Sequence, residues 1–366
     1  MIVGSIKEDL SLEKRVSITP ETAKNIINLG LKICIENDYA THLGIKDSEY
    51  KDVGVEIKNS SNEVLNISKL LLKVNCPSTE EISNLKNKTI LIGMFNPSKN
   101  QSKFKEILKK DVNIFSLELL PRITRAQSMD VLSSQSNLAG YRSVVDSIYE
   151  FEKAIPMMMT AAGTVPAAKV LVIGAGVAGL QAIATAKRLG GVVSATDVRT
   201  AAKEQVESLG GKFLSVKGAE NLETKDGYAK EASEDFKKKQ SELIKEAVKK
   251  NDIVICTALV PGKKAPRIIS EDMVKDMKPG SIIYDLAVGQ GGNSAFSESD
   301  KIKSVNGVKI MGSKQILNNL ALTASNLYAK NLLNFINNLY NKDKKDIFID
   351  LKDEIINKTL INKKGS

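Results

Sequence analysis

Short apolar runs alternate with segments of helical periodicity through the first third of the chain. The runs predict five strands, in IVGSI, LKICIE, KLLLKV, TILIGMF and VNIFSLEL. After the first of them, Thr19 is a suitable helix N-cap, Pro20 suits the first helical position, and Gly30 is a suitable stop. Strands that alternate with helices predict a parallel sheet covered by helices on both faces.

The same alternation returns between residues 165 and 312, where six strands are predicted in KVLVIGAG, GVVSATD, GKFLSV, DIVICTAL, SIIYDLA and VKIMG. A long connecting helix is predicted from Leu138 to Thr160, and an amphipathic helix in the C-terminal tail is long enough to return to the first domain. We therefore expect one domain from residues 1–137 and 313–366, and a second from residues 138–312. The predicted fold class is α/β, with two Rossmann-like doubly wound parallel-sheet domains flanking a nucleotide cleft.

Residues 217–239 interrupt this alternation. They are charged, contain few large apolar side chains, and stand where a short connection is expected after the third strand of the second domain. Such an insertion is typical either of a lid over a binding site or of a floppy surface loop. The residues by themselves leave both interpretations open.

A dinucleotide-binding motif opens the second domain. Gly174, Gly176 and Gly179 follow an apolar strand and precede a helix, in the order G-x-G-x-x-G, and Asp197 ends the next strand. The glycines serve a tight turn, close approach to a pyrophosphate, and close packing of helix on strand. Other candidate cofactor-binding residues in the motif and after Asp197 are Ala175, Val177, Val198 and Arg199.

Asp197 predicts the choice of cofactor. A carboxylate at this position accepts hydrogen bonds from ribose hydroxyls and repels a 2′-phosphate. Arg199 raises the opposite possibility, but Asp197 occupies the fingerprint position. We therefore predict binding of NAD(H) rather than NADP(H).

A polar segment at residues 121–144 stands out because it uses short hydrogen-bonding side chains and Arg in a chain whose surface is otherwise rich in Lys and Glu. Arg122 can donate to the oxygen of a nicotinamide carboxamide, and Asp130 can accept from its nitrogen. Gln127 and Ser133 can serve the neighbouring ribose and amide. The alternative is a polar helix between domains with a structural role only.

Composition excludes several classes of protein. The net charge is +10, but the lysines are interleaved with acidic residues and aromatics are 5%, so we expect no nucleic acid. His42 is the one histidine, and the three cysteines lack metal-ligand spacing, so no metal site is predicted. Two cysteines, Cys34 and Cys256, lie in apolar runs and are expected to be buried. Neither a signal peptide nor a transmembrane helix is predicted.

The chain resembles domain I, the NAD(H)-binding component, of proton-translocating NAD(P) transhydrogenase, over nearly its whole length. The segments that carry the resemblance are RITRAQSMDVLSSQSNLAGYR, PMMMTAAGTVPAAKVLVIGAGVAGLQAIATAKRLGG, TDVR, KEQVESLGGKF, GYAKE and NLLNF. The resemblance implies a Re/Si-specific oxidoreductase and translocase. Hydride would pass from NADH on this chain to NADP⁺ on a partner domain, coupled to proton movement through a membrane subunit.

The resemblance also implies site residues and partners. Arg122, Gln127, Asp130 and Ser133 would contact the nicotinamide half of NAD(H), and the first three would act in hydride transfer. A lid around Gly227 and Tyr228 would close over the nucleotide, with Gln240 and Leu259 in the same cleft. The chain would be a cytoplasmic homodimer, held peripherally at the inner membrane by the beta and second alpha subunits. Those subunits would supply the NADP(H)-binding and membrane domains.

Two departures and two alternatives accompany this interpretation. Ala232 stands four residues after the lid residue Tyr228, where the family often has Met, and Gly289 stands at a position that is usually acidic in the family. An alanine- or opine-type dehydrogenase is the enzymatic alternative. Alanine dehydrogenases resemble the chain at Arg15 and Lys73, and in those enzymes the corresponding residues hold the substrate carboxylate. Alanine dehydrogenases also use a His after the fourth strand of the first domain, but the corresponding segment here, GMFNPSKN, contains none. Their Asp after the fifth strand of the second domain is replaced by Gly289. A non-catalytic NAD(H) sensor is the third interpretation.

Overall fold

The computed structural model describes residues 1–216, 233–259 and 264–361. Its strands are, in chain order, β1 Ile2–Ser5, β2 Lys32–Glu36, β3 Glu56–Lys58, β4 Leu70–Leu72, β5 Ile90–Gly93, β6 Asn113–Ser116, β7 Met158–Thr160, β8 Gly163–Val165, β9 Lys169–Ile173, β10 Val192–Thr196, β11 Lys212–Phe213, β12 Ile253–Cys256, β13 Ile282–Asp285, β14 Lys303–Val305, β15 Val308–Met311, β16 Tyr340–Asn341 and β17 Asp346–Ile347. Its α-helices are α1 Pro20–Asn28, α2 Asp47–Asp52, α3 Ser61–Ile67, α4 Thr79–Asn84, α5 Gln101–Leu108, α6 Val131–Glu150, α7 Val177–Arg188, α8 Ala202–Ser208, α9 Glu234–Lys250, α10 Glu271–Lys275, α11 Ala321–Leu339 and α12 Glu354–Thr359. Short 3₁₀ helices occur at Thr41–Leu43, Leu117–Leu119, Thr124–Met129, Val288–Gln290 and Ile316–Leu320.

The chain divides into two compact units. Unit 1 consists of Met1–Gln135 and Leu320–Ser366, and unit 2 of Ser136–Asn319. Within the described ranges, no helix combines the length and the apolarity needed to cross a membrane.

Unit 1 is built on a parallel sheet with the strand order β3-β2-β1-β4-β5-β6. Alternate residues of β4 point into opposite cores: Leu70 and Leu72 pack with α1 and α11, whereas Leu71 packs with α3, α4 and α5. A strand that is apolar on both faces is typical of a parallel sheet covered on both sides. The chain reverses its direction of winding between β1 and β4, where a doubly wound sheet forms its binding crevice.

Unit 2 repeats this architecture with the order β11-β10-β9-β12-β13-β15-β14. In β9, Val170 and Val172 face the core formed with α6, α7 and α8, while Leu171 and Ile173 face α9 and α10. The two sheets confirm the predicted α/β class with Rossmann-like parallel sheets.

Two edge strands were not predicted. β3 lies at the edge of its sheet beside β2, and β14 pairs antiparallel with β15 at the edge of the other. Each has three residues and includes a lysine, as exposed edge strands often do. Neither has the apolar run on which the prediction of strands depends.

The connecting helix is displaced from its predicted range. Residues 138–160 were expected to be helical, but α6 spans Val131–Glu150, and the methionine run after it forms strand β7 of a hairpin with β8. The Asp130 side chain accepts the N–H of Ser133 at 2.9 Å and its carbonyl accepts that of Ser134, so Asp130 acts as the N-cap. At the other end, Lys309 Nζ donates to the Glu150 carbonyl at 2.9 Å.

Candidate functional sites

The glycine motif forms the turn between β9 and α7 in unit 2. Gly174 has a φ of +94°, a left-handed conformation that suits glycine. A Cβ on Gly179 would lie 1.9 Å from the Gly174 carbonyl oxygen, so any side chain there would separate helix from strand. Thr257 Oγ1 donates to the same carbonyl at 2.8 Å and fixes the turn from β12.

Gly176 differs from the other two glycines. A Cβ built there would meet no described atom nearer than Arg199 Nη2 at 4.0 Å. Packing within the described residues therefore does not require glycine at this position. The free space lies directly before the N-terminus of α7, where backbone N–H groups favour an anion. A pyrophosphate fits this arrangement.

Asp197 follows β10 and receives four hydrogen bonds. The N–H of Ala175 donates to Oδ2 at 2.7 Å, and the N–H of Arg199 donates to Oδ1 at 2.9 Å. The guanidinium of Arg199 donates two further hydrogen bonds, from Nε to Oδ1 at 2.9 Å and from Nη2 to Oδ2 at 2.8 Å. Burial opposes ionisation, but the hydrogen bonds from Arg199 and Ala175 outweigh it and lower the pKa of Asp197.

This arrangement has a consequence for ribose recognition. An ionised carboxylate offers about four lone-pair sites, and Ala175 and Arg199 fill them at Asp197. Ribose hydroxyls would therefore have to exchange with a donor already in place. The guanidinium of Arg199 is the donor that a side-chain rotation can release.

Two other residues predicted for the nucleotide site, Gln240 and Leu259, form no hydrogen bond to the glycine turn among the described residues. Gln240 is half-buried on α9, and Leu259 is exposed after β12. Gly227 and Tyr228 of the predicted lid, and the departure at Ala232, lie outside the described residues.

Asn293 was missed by the sequence analysis. It is fully buried, and its side chain accepts the Ala258 N–H at 3.1 Å while donating to the carbonyls of Ala258 and Pro266, each at 2.9 Å. It therefore holds the loop after β12, beside Thr257, against the loop after β13. The signal for it in the sequence is its position in DLAVGQGGN, the stretch that also contains Gly289.

The polar segment of unit 1 forms a 3₁₀ helix, Thr124–Met129, followed directly by α6. The side chains of Arg122 and Gln127 are exposed. Among the described residues the Gln127 amide has no hydrogen-bond partner. In contrast, Ser133 Oγ donates to Asp130 Oδ2 at 2.5 Å, so these two predicted site residues are joined to each other.

The neighbouring Arg125 has a structural role. Its guanidinium donates to Asp353 at 2.6 Å and to Asn338 at 3.2 Å, and the hydrogen bond to Asp353 raises the pKa of Arg125. It thus ties the segment to α12 and α11.

A buried charged cluster follows the strands at the binding crevice of unit 1. Arg15 donates to both carboxylate oxygens of Glu13, at 2.8 and 2.7 Å, and to Gln135 at 2.9 Å. Lys73 pairs with Glu81 at 2.8 Å and lies 3.7 Å from Glu8. The two cations that resemble a substrate-carboxylate site are therefore paired with carboxylates of the chain itself.

Replacing Glu8 by Gln is expected to stabilise the chain at neutral pH. Burial raises the pKa of Glu8 from 4.5 to about 6, although Lys73 and the Val74 N–H lower it in part. Because the folded chain binds this proton more tightly than the unfolded chain, the contribution to stability is full below pH 4.5 and is lost as the pH rises through 6. The shift corresponds to about 2 kcal/mol.

Urea unfolding followed by circular dichroism between pH 4 and 8 measures this effect. The difference between Glu8→Gln and the parent chain should grow from near zero to about 2 kcal/mol across that range. Glu80→Gln, at an exposed position on α4, is the matched control. A constant difference at all pH values would show that Glu8 is not protonated near pH 6.

The histidine and cysteines fit structural roles. His42 is exposed, with Nε2 at 2.7 Å from the Lys14 carbonyl oxygen. Cys34 and Cys256 are buried, as predicted. Four residues before Gly289, Asp285 is fully buried and accepts hydrogen bonds from Ala287, Ser294 and Ser297.

Two Rossmann-like units, one of them with a glycine turn and a carboxylate after its second strand, are typical of dinucleotide-binding proteins. Family models match both halves of the chain: "Alanine dehydrogenase/PNT, N-terminal domain" over residues 4–139 and "Alanine dehydrogenase/PNT, C-terminal domain" over residues 143–366.

A relative from Rhodospirillum rubrum, the first portion of the alpha subunit of NAD(P) transhydrogenase, is 48% identical over 100% of this chain and 97% of its own length. The crystal structure of transhydrogenase from Sinorhizobium meliloti is 43% identical, with a TM-score of 0.89 over 99% of this chain and 98% of that one. An L-alanine dehydrogenase structure shares the fold, with a TM-score of 0.81 at 22% identity over 99% of this chain and 95% of that one. The chain belongs to the alanine dehydrogenase/PNT family and, within it, to the NAD(P) transhydrogenases.

Proposed function

We propose that this chain is the NAD(H)-binding subunit of a proton-translocating, Re/Si-specific NAD(P) transhydrogenase. The observation that carries the proposal is its full-length similarity to the R. rubrum protein, which is named as a transhydrogenase subunit. Hydride passes directly from NADH on this chain to NADP⁺ on a partner domain. The proposal assigns the NADP(H)-binding domain and the membrane domain to the beta and second alpha subunits, which hold this chain at the inner membrane on its cytoplasmic side.

In unit 2 the proposal assigns the pyrophosphate to the glycine turn and the adenosine ribose to Asp197. The free space at Gly176 and the N-terminus of α7 suit the phosphates. The ionised carboxylate of Asp197 suits ribose hydroxyls and disfavours a 2′-phosphate. Arg199 yields its place on Asp197 to the ribose.

In unit 1 the proposal assigns the nicotinamide to Arg122, Gln127, Asp130 and Ser133. When bound, NADH supplies the hydride, which leaves with both electrons of its C–H bond and produces no local proton. The chain therefore has no need of a general acid or base, and its task is to orient the ring and exclude water. The exposure of Gln127 supports this assignment, because its side-chain amide has no competing hydrogen-bond partner among the described residues.

The dehydrogenase alternative is weakened by the cluster of unit 1. Arg15 and Lys73 are buried and paired with Glu13 and Glu81, so a substrate carboxylate would have to displace a carboxylate of the chain from each of them. A carboxylate of Glu13 or Glu81 that lost its cation in this way would be left unpaired, which is costly in the interior.

The deciding experiment is single-turnover hydride transfer from NADH to NADP⁺, with this chain reconstituted with the NADP(H)-binding partner. Transfer is expected, whereas pyruvate, ammonia and NADH should give no alanine. Alanine formation at a typical enzymatic rate of ~1 s⁻¹ would establish a dehydrogenase, and NADH binding without either reaction would establish a sensor.

A homodimer is also proposed. Met159 in β7 is 82% exposed, and Met157, directly before β7, is 63% exposed. An isolated two-stranded hairpin is marginally stable in water, so a second copy of the chain is a suitable cover for it. Sedimentation equilibrium of the purified chain measures this state directly, and a monomer at micromolar concentration would refute it.

A further inference from the structure

The carbonyl of Ser128 is held by two asparagines of the C-terminal helix α11. Asn331 Nδ2 donates to this carbonyl at 2.8 Å and Asn334 Nδ2 donates at 3.0 Å. The other end of the Asn331 amide accepts from Ser134 Oγ at 2.7 Å. One buried amide therefore joins the 3₁₀ helix Thr124–Met129 to the first turn of α6.

The turn held in this way presents the exposed Gln127 amide. Ser128 follows Gln127 directly, and the N–H of Asp130 donates to the Gln127 carbonyl at 3.2 Å. Since 3₁₀ hydrogen bonds have poor geometry, such a helix is weakly determined by its own backbone. Fixing the Ser128 peptide from α11 fixes the direction in which Gln127 leaves the turn.

Packing alone does not explain these asparagines. Asn331 is 8% exposed, and its neighbours on the buried face of α11 include Tyr328, Leu332 and Phe335. Asn is a poorer helix former than Leu, and burying an amide is unfavourable unless its hydrogen bonds are made. Here both ends of the Asn331 amide form hydrogen bonds with the polar segment, at Ser128 and Ser134.

We infer that Asn331 and Asn334 are positioning residues for hydride transfer, acting through the Ser128 carbonyl on Gln127. The inference rests on the proposed function. Neither asparagine needs to touch the nucleotide. Their effect is expected on the rate of transfer, because reaction rates depend steeply on geometry while binding depends on contacts distributed over the whole dinucleotide.

Asn331→Asp is the sharpest test, because Asp has the same shape and keeps an acceptor for Ser134 but cannot donate to the Ser128 carbonyl. Asn334→Ala removes the second donor at a less buried position, and Asn337→Ala, at an exposed position of α11, is the matched control. The measurements are single-turnover transfer to NADP⁺ in the reconstituted complex, NADH titration and melting temperature.

We expect transfer to fall roughly 10-fold in Asn331→Asp and less in Asn334→Ala, since displacements below 1 Å already slow transfer. NADH affinity should change less than threefold, and the control should match the parent. In a Gln127→Asn background, Asn331→Asp should cause little further loss, because both changes act on one side chain.

Three results would overturn the inference. Parental transfer rates in both variants would do so, as would full additivity with Gln127→Asn. So would losses of transfer matched by equal losses of NADH affinity. A parent chain that transfers no hydride would instead refute the proposed function, and the inference with it.

Discussion

Asp197→Ser is expected to reverse the cofactor preference of this chain. The substitution removes the carboxylate proposed to accept the ribose hydroxyls, together with the two hydrogen bonds that it accepts from the Arg199 guanidinium. A hydrogen bond to a charged group contributes about 2 kcal/mol, or roughly 30-fold in affinity. NADH should therefore bind roughly 30-fold more weakly, and NADPH should gain by a similar factor, because the repulsion between the carboxylate and the 2′-phosphate is removed and the Arg199 guanidinium lies beside this position.

Fluorescence titration with NADH and NADPH measures both changes. The control is Arg199→Ala in the Asp197→Ser background, which should remove the gain for NADPH and leave NADH binding weak. A Ser variant that binds NADPH no better than the parent would show that Arg199 does not reach the 2′-phosphate. Equal affinity of the parent chain for both cofactors would contradict the assignment of Asp197 itself.

Gln127→Asn is expected to slow hydride transfer about 10²-fold while leaving NADH affinity nearly intact. The substitution shortens the side chain by one methylene and keeps its amide, so the ring would be displaced by about 1 Å. The proposed contacts of Gly176 and Asp197 with the rest of the dinucleotide are unchanged. The measurement is stopped-flow transfer to NADP⁺ in the reconstituted complex, together with NADH titration.

Asp130→Asn serves as the contrasting variant. Asp130 caps α6, and Asn caps a helix about as well as Asp, so the melting temperature should change little. The substitution removes the charged acceptor proposed for the carboxamide, so NADH binding should weaken. If Gln127→Asn transfers hydride at the parental rate, the polar segment has a structural role only. Such a result would leave the nucleotide site of unit 2 unaffected.

Features that depend on neighbouring residues could be predicted from the sequence. The glycine turn is determined over a few positions, because Gly174 needs a left-handed φ and Gly179 has no room for a Cβ. The inner strands of both sheets could be predicted, because burial on two faces requires continuous apolar runs, whereas the edge strands β3 and β14 lack such runs.

Features that depend on distant residues could not be predicted. The start of α6 depends on whether Asp130 points at Ser133 or at a ligand, and the sequence permits both. The occupation of Asp197 by Arg199 depends on a side-chain rotation. The contact between Ser128 and Asn331 joins residues 203 positions apart, and nothing in the local pattern of either segment indicates the other.

The division of unit 1 between the two ends of the chain determines the order in which the protein can fold. Its core includes Tyr328, Leu332 and Phe335 of α11 as well as the strands from the N-terminal segment. Domains usually fold during synthesis in the order in which they leave the ribosome. Here unit 2 is complete first, although unit 1 begins the chain. The apolar face of the first sheet that packs against α11 therefore stays uncovered until α11 has been translated.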